Sequence, residues 1–146
     1  MTTVRELIES TAGVIGDRTH ARWLVEVAVS ADRVDDVLDE EVTERMVAHL
    51  DAMIGRYRSG EPLQYVLGRW AFRHLDLFVD ERVLIPRLET EEVAGVAIEF
   101  ARSVEGARTV IDLGTGSGAI GLSLAIELPI DNTCLLYTSD AADEED

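Results

Sequence analysis

Three glycines at alternate positions form the part of the sequence best suited to chemistry. They are Gly114, Gly116 and Gly118, and Asp112 stands two residues before the first of them. Glycine adopts positive φ freely and lets a ligand approach the backbone closely. A helix that starts directly after such a loop presents unbonded N–H groups and a partial positive charge. The segment therefore predicts a site for an anionic group, either a phosphate or the carboxylate of an amino-acid cofactor.

The loop can be aligned with two cofactor-binding motifs. Residues 116–121 match the dinucleotide pattern Gly-x-Gly-x-x-Gly, but that pattern begins directly after the strand, and in that register Ala119 takes the place of the third glycine. The register Asp-x-Gly-x-Gly-x-Gly, from Asp112 to Gly118, resembles the first motif of class I S-adenosylmethionine methyltransferases. We favour this second register. A tight turn without a ligand ranks lowest, since it does not require three alternating glycines.

The elements that position this loop are predicted from their apolar patterns. Residues 109–113 read as a short buried strand and residues 119–128 as a helix, which together open a doubly wound α/β domain. A helix before the strand is predicted to start at Thr90 as N-cap and to end before Gly106. Its expected buried face consists of Val93, Val96, Ala97 and Phe100.

Residues 1 to about 60 are predicted to form a small helical bundle. Thr3 and Glu6 have the spacing of a capping box, and Asp17 can cap a second helix. Two helical stripes are expected to supply the core: Trp23, Leu24, Val27, Ala28; and Val42, Met46, Leu50, Ile54, Tyr57. Gly60 and Pro62 end the third helix.

The pattern changes from helical to alternating after residue 64. Leu75, Leu77 and Val79 alternate with Asp76, Phe78 and Asp80, which predicts a strand. Residues 83–85 are interpreted as a second short strand, so that residues 64–85 form a hairpin-like connector.

Three segments in this order resemble the peptide chain release factor glutamine methyltransferases of the PrmC/HemK type. They are residues 60–68 (Gly-Glu-Pro-Leu-Gln-Tyr-Val-Leu-Gly), residues 84–91 (Leu-Ile-Pro-Arg-Leu-Glu-Thr-Glu) and residues 110–121 around the glycine loop. The resemblance covers residues 1 to about 129. Leu88 departs from the pattern, because the family has a second proline at that position.

The resemblance implies a fold, a cofactor and a substrate. The fold is α plus a truncated α/β part: an N-terminal helical bundle, a β-hairpin linker, and the first strand–loop–helix unit of a Rossmann-like class I methyltransferase domain. The methionine part of S-adenosyl-L-methionine would be held by Gly114, Thr115, Gly116, Ser117 and Gly118. Asp112 would help to fix that end, through the ammonium of the cofactor or through the loop itself. Arg87 and Thr90 would lie against the cofactor. The substrate would be a glutamine side-chain amide of a release factor, docked in part by the N-terminal helices.

The last residues do not continue the family's pattern. The motif Asn-Pro-Pro-Tyr, which grips the substrate in the family, is absent, so no catalytic residue is assigned. We expect no second strand before Asp140. Residues 134–144 resemble the translation of a transposon-based sequencing adapter, and we expect a non-native tail rather than a natural acidic one. The expected divisions are residues 1–62 (helical docking domain), 63–86 (hairpin linker), 87–130 (start of the methyltransferase domain) and 131–146 (tail).

The composition bears on nucleic-acid binding, disulfides and membrane spans. The net charge of -16 argues against sequence-blind binding to nucleic acid, which needs Lys and Arg. Cys134 is the single cysteine, so no internal disulfide can form, and no metal site or membrane span is expected. We expect a cytoplasmic monomer. Three alternatives stay open: a ribosomal-protein glutamine methyltransferase, a non-enzymatic helical binding module, and an NAD-binding fragment.

Overall fold

A computed structural model describes residues 2–106, 108–128 and 133–138. The chain divides into two compact units, Met1–Leu67 and Gly68–Asp146. Within the described ranges, no helix is both long enough and apolar enough to cross a membrane. The expectations for residues 139–146 lie outside the described residues.

The first unit is helical, as the apolar stripes predict. Its helices are α1 (Val4–Ile15), α2 (Arg18–Val29), a short 3-10 helix (Val34–Val37), α3 (Glu44–Arg58) and α4 (Leu63–Leu67). Asp17 caps α2 by accepting a hydrogen bond from the backbone N–H of His20. Gly16 ends α1 in the left-handed conformation, whereas Gly13 lies inside the helix and does not break it. Helix α4 was not predicted from the sequence.

The core of this unit is contributed by all four α-helices. Leu24, Val25 and Leu50 are almost completely buried, and Leu63 and Val66 of α4 join them. The predicted stripes are confirmed in part, since Val27, Val42, Ile54 and Tyr57 pack at the edge of the core. Trp23 is 38% exposed and lies outside the core. The interior positions are aliphatic, as close packing of helices favours.

The predicted capping box at the start of α1 is confirmed. The Thr3 hydroxyl accepts from the N–H of Glu6, and the Glu6 carboxylate accepts from the N–H of Thr3. We expect Thr3→Ala to lower the free energy of unfolding by about 1 kcal/mol, because the backbone N–H of Glu6 loses its acceptor. Urea denaturation followed by circular dichroism measures this. Thr2→Ala is the matched control, and an equal loss in both variants would contradict the capping role.

The second unit begins with an antiparallel hairpin, as predicted, but only one of its two strands is a predicted one. Strand β1 (Arg69–Phe72) pairs with β2 (Leu75–Phe78), so that Phe72 lies opposite Leu75. Residues 83–85 are not a strand, contrary to the prediction. Val83 instead donates its N–H to the Asp80 carbonyl in a turn. The predicted alternation in β2 is correct, since Leu77 is buried and Phe78 is 91% exposed.

Helix α5 (Leu88–Ser103) buries a different face from the one predicted. Its buried residues are Ala94, Ile98 and Ala101. Val93, Val96 and Phe100, which were predicted to be buried, are all more than half exposed. The helix has apolar residues on two sides, and periodicity alone does not say which side meets a neighbour. Small Ala94 and Ala101 allow the close approach of a second helix.

A parallel βαβ unit completes the described chain. Strand β3 (Arg108–Leu113), helix α6 (Ala119–Glu127) and strand β4 (Thr133–Thr138) follow in order, and β4 pairs in parallel with β3. Ile98 and Ala101 of α5 pack against Leu124 and Leu128. The expectation of no second strand before Asp140 is therefore wrong. The sequence from Thr133 to Thr138 is rich in apolar and β-branched residues, which favour a strand.

Candidate functional site

The glycine loop between β3 and α6 has the backbone that its sequence predicts. Gly114, Gly116 and Gly118 have φ of 67°, 55° and 79°. Residues with a Cβ rarely adopt these values, so all three glycines are required by the path of the chain. At Gly118 the neighbours add a second restriction, since a Cβ there would lie 3.0 Å from Leu122 Cδ1.

Asp112 fastens this loop to the end of β3. Its Oδ2 atom accepts a hydrogen bond from the Thr115 hydroxyl at 3.0 Å and another from the backbone N–H of Gly121 at 2.9 Å. A further bond, from the Gly118 N–H to the Thr115 carbonyl at 2.8 Å, closes the turn. One carboxylate thus joins the strand, the loop and the first turn of α6.

The start of α6 offers backbone donors to a ligand. Gly118 is the N-cap residue and makes no side-chain capping bond. Gly121 donates its N–H to Asp112, and Leu122 donates to the Gly118 carbonyl. Among the described residues, the N–H groups of Ala119 and Ile120 have no hydrogen-bond acceptor. Together with the positive end of the helix dipole, they suit a carboxylate or a phosphate.

The segment before α5 is placed differently from the prediction. Arg87 is the N-cap residue, with extended backbone and no side-chain capping bond, and Thr90 is the third residue of the helix. The prediction of Thr90 as N-cap is therefore wrong, since its N–H donates to the Arg87 carbonyl at 3.0 Å. Leu88 occupies the first helical position, where proline is also favourable, and is 78% exposed.

The predicted site residues fall into two sets. One is the glycine loop with Asp112, and the other is Arg87 with Thr90. The loop residues and Asp112 are joined by the bonds above. Within the described ranges, no hydrogen bond or ion pair links Arg87 or Thr90 to the loop. Their assignment to the cofactor stays a prediction.

Arg73 is a residue that sequence reasoning missed. It lies in the turn between β1 and β2 with φ of 51°, and its guanidinium forms a bidentate pair with Glu127 at 2.7 and 2.8 Å. The two residues are 54 positions apart, so no local pattern marks the pair. The sequence offered one indication that Arg73 has a special role, namely a charged residue at the position of a tight turn.

Comparisons with known proteins agree with this architecture. The PrmC N-terminal domain family matches residues 8–68. The release factor glutamine methyltransferase of Gloeobacter violaceus is 38% identical over 130 residues, which is 86% of this chain and 44% of that protein. The protein of the same name from Geobacter sulfurreducens is 34% identical over 135 residues, 87% of this chain and 46% of that protein. The Streptomyces coelicolor protein is 46% identical over 78 residues, 53% of this chain and 28% of that protein.

A helical unit followed by a strand, glycine loop and helix is the construction of an α/β methyltransferase, and the chain is of that class. Residues 8–68 match the PrmC N-terminal domain family, and over most of its length the chain is similar to release factor glutamine methyltransferases. The chain spans less than half the length of these relatives.

Proposed function

We propose that this chain is part of an enzyme that transfers a methyl group from S-adenosyl-L-methionine to the side-chain amide nitrogen of a glutamine in a peptide chain release factor. The main support is the Asp112–Gly118 loop, in which three glycines with positive φ are held by one carboxylate ahead of a helix start. The names of the relatives give the substrate class.

The loop suits the amino-acid end of this cofactor. The N–H groups of Ala119 and Ile120 would donate to its carboxylate, and Gly114 and Gly116 would let the chain pass close to its methionine part. Asp112 already accepts two hydrogen bonds from the protein, so we assign it to holding the loop rather than to the cofactor's ammonium. Arg87 and Thr90 are proposed to contact the cofactor from the start of α5.

When bound, the cofactor supplies an electrophilic methyl group on a sulfonium. The loop from Gly114 to Gly118 would hold this group, which would supply the methyl for transfer to the glutamine nitrogen, with its sulfur leaving as a neutral thioether and the amide proton passing to water. An amide nitrogen is a poor nucleophile, so the enzyme has to align it and accept hydrogen bonds from its NH2 group. The Asn-Pro-Pro-Tyr motif to which the family resemblance assigns that task does not occur in these 146 residues.

The release factor is the proposed protein partner, and helices α1 to α3 are proposed to take part in docking it. We propose a cytoplasmic monomer that does not bind nucleic acid directly. The acidic composition supports the last point, because contacts to phosphate groups require clustered Lys and Arg.

The 146-residue chain by itself is expected to show no methyltransferase activity and to bind S-adenosyl-L-methionine weakly or not at all. The reason is that the loop supplies donors to only one end of the cofactor, and the substrate motif is missing. Isothermal titration calorimetry measures the affinity, and incorporation of labelled methyl groups into a purified release factor measures the activity. Tight binding or turnover by this chain would contradict the prediction.

The codons for residues 125–146 in genomic DNA test the remaining proposal. We propose that residues 131–146 are not native. Native coding sequence there is expected to provide a strand ending in an acidic residue, followed further on by Asn-Pro-Pro-Tyr. The protein encoded by that longer reading frame is then expected to methylate a release factor, and failure to do so would refute the proposed function. A genomic sequence identical to the present tail would refute the non-native assignment.

A further inference from the structure

Arg73 joins three elements of the second unit. It lies at the tip of the hairpin, where its backbone N–H donates to the Glu91 carboxylate at 3.1 Å. Its Nη1 atom donates to the Glu91 carbonyl at 3.0 Å, and its Nε and Nη2 atoms bind the two oxygens of Glu127. Glu91 belongs to the first turn of α5, and Glu127 is the last residue of α6. One side chain therefore bonds to both helices.

The surroundings show that the guanidinium fits between these helices. The side chains of Arg73 and Glu127 are only 22% and 12% exposed, less than those of any other arginine–carboxylate pair in the described chain. Gly95 leaves the space, since a Cβ there would lie 3.3 Å from Nη1. The pairing lowers the pKa of Glu127 and raises that of Arg73, mainly through the hydrogen bonds between them. Paired, half-buried charges of this kind hold geometry better than exposed ones do.

The two helices lead to the two parts of the proposed cofactor site. Residues 86–90 run directly into Glu91, and the glycine loop runs directly into α6. Leu124 and Leu128 pack against Ile98 and Ala101 in the second half of α5, whereas Arg73 reaches its first turn. The apolar contact and the arginine thus hold α5 at two separate points.

We propose that Arg73 is a positioning residue that fixes the start of α5, and with it residues 86–90, relative to the helix that carries the glycine loop. It acts through Glu91 and Glu127 and touches no substrate. A role of Arg73 in catalysis rests on the proposed function, whereas its role in holding the start of α5 does not.

Amide hydrogen exchange on the full chain tests this without any cofactor. In Arg73→Ala, exchange at residues 92–95, whose N–H groups bond to the carbonyls of the first turn of α5, is expected to accelerate about tenfold or more, while residues 98–101 change less than about twofold. Arg73→Lys should restore part of the protection, because its ammonium still pairs with Glu127 but does not form a bidentate contact. Arg82→Ala is the matched control, since Arg82 pairs only with nearby Asp80 and is 83% exposed. Its exchange at residues 92–95 should equal that of the wild type.

A pH series separates this role from general stabilisation. The pKa of Glu127 is lowered in the folded chain, so the pair is complete above the ordinary glutamate range and is lost as the pH falls through the lowered pKa. Local protection of residues 92–95, relative to residues 98–101, should fall in the same pH range in the wild type. It should fall less in Arg73→Ala, which lacks the pair with Glu127 and keeps only the bond from the backbone N–H of residue 73 to the Glu91 carboxylate. Glu127→Gln keeps the shape of the side chain and should mimic the low-pH state. A uniform rise in exchange along α5, or no change at residues 92–95, would overturn the proposal.

Discussion

Gly118→Ala is expected to destabilise the second unit by about 2–3 kcal/mol, which combines the cost of positive φ for a residue with a Cβ and a smaller cost of displacing the partly exposed Leu122 side chain. The new Cβ would lie 3.0 Å from Leu122 Cδ1 and 3.4 Å from Leu122 Cγ. Because Gly118 caps α6 and starts its first turn, the strain falls on the backbone donors of the proposed site. Urea denaturation monitored by amide signals of α6 measures the effect.

Gly116→Ala is the matched control for this substitution. Its φ of 55° is also positive, but the nearest atom to a Cβ there is the Gly114 carbonyl oxygen at 3.9 Å. Gly116→Ala should therefore lower the free energy of unfolding only by the cost of positive φ for a residue with a Cβ, about 1–2 kcal/mol. The double variant Gly118→Ala/Leu122→Ala should regain most of the difference, since it removes the crowded side chain. Equal losses in both single variants would show that Leu122 does not matter.

Leu24→Ala is expected to lower the free energy of unfolding of the helical unit by about 2–5 kcal/mol, the usual range for a leucine truncated in a packed core. Leu24 is completely buried, and the core of this unit consists of aliphatic side chains from a short chain segment. A small domain has little stability to lose, so a large share of the unit would be unfolded at moderate temperature. Thermal and urea unfolding followed by circular dichroism measure the change.

Val14→Ala provides the comparison for the core substitution. Val14 also lies in a helix of this unit but is 56% exposed. Its truncation should change stability by no more than about 0.5 kcal/mol. If Leu24→Ala and Val14→Ala had similar effects, the burial described for Leu24 would be incorrect.

Local sequence patterns predicted correctly those features whose hydrogen-bond partners lie close together in the chain. Thr3 and Glu6 form their capping box within one helical turn, and Asp17 caps its helix three residues away. The three glycines of the loop likewise have positive φ because of their own backbone path. These features depend on few neighbours, so residue type and spacing predict them.

Features decided by distant partners were predicted less well. Phe100 and Val96 looked buried because they are apolar and regularly spaced, but Ile98 and Ala101 are the residues that meet α6. Val83 has strand propensity but bonds to a nearby carbonyl in a turn. Arg73 depends on Glu127, which no local pattern connects to it. For α5 and Arg73 a tertiary contact decided between the local alternatives, whereas at Val83 a local turn replaced the predicted strand.

The bonds that Asp112 makes have a kinetic consequence for any ligand of the loop. Thr115 and Gly121 are already joined to its carboxylate, so the loop is held in one ordered shape without a ligand. A ligand that meets an ordered loop causes little further loss of conformational entropy on binding. Association would then be limited by diffusion and orientation rather than by loop closure, and differences in affinity among ligands would arise in their dissociation rates.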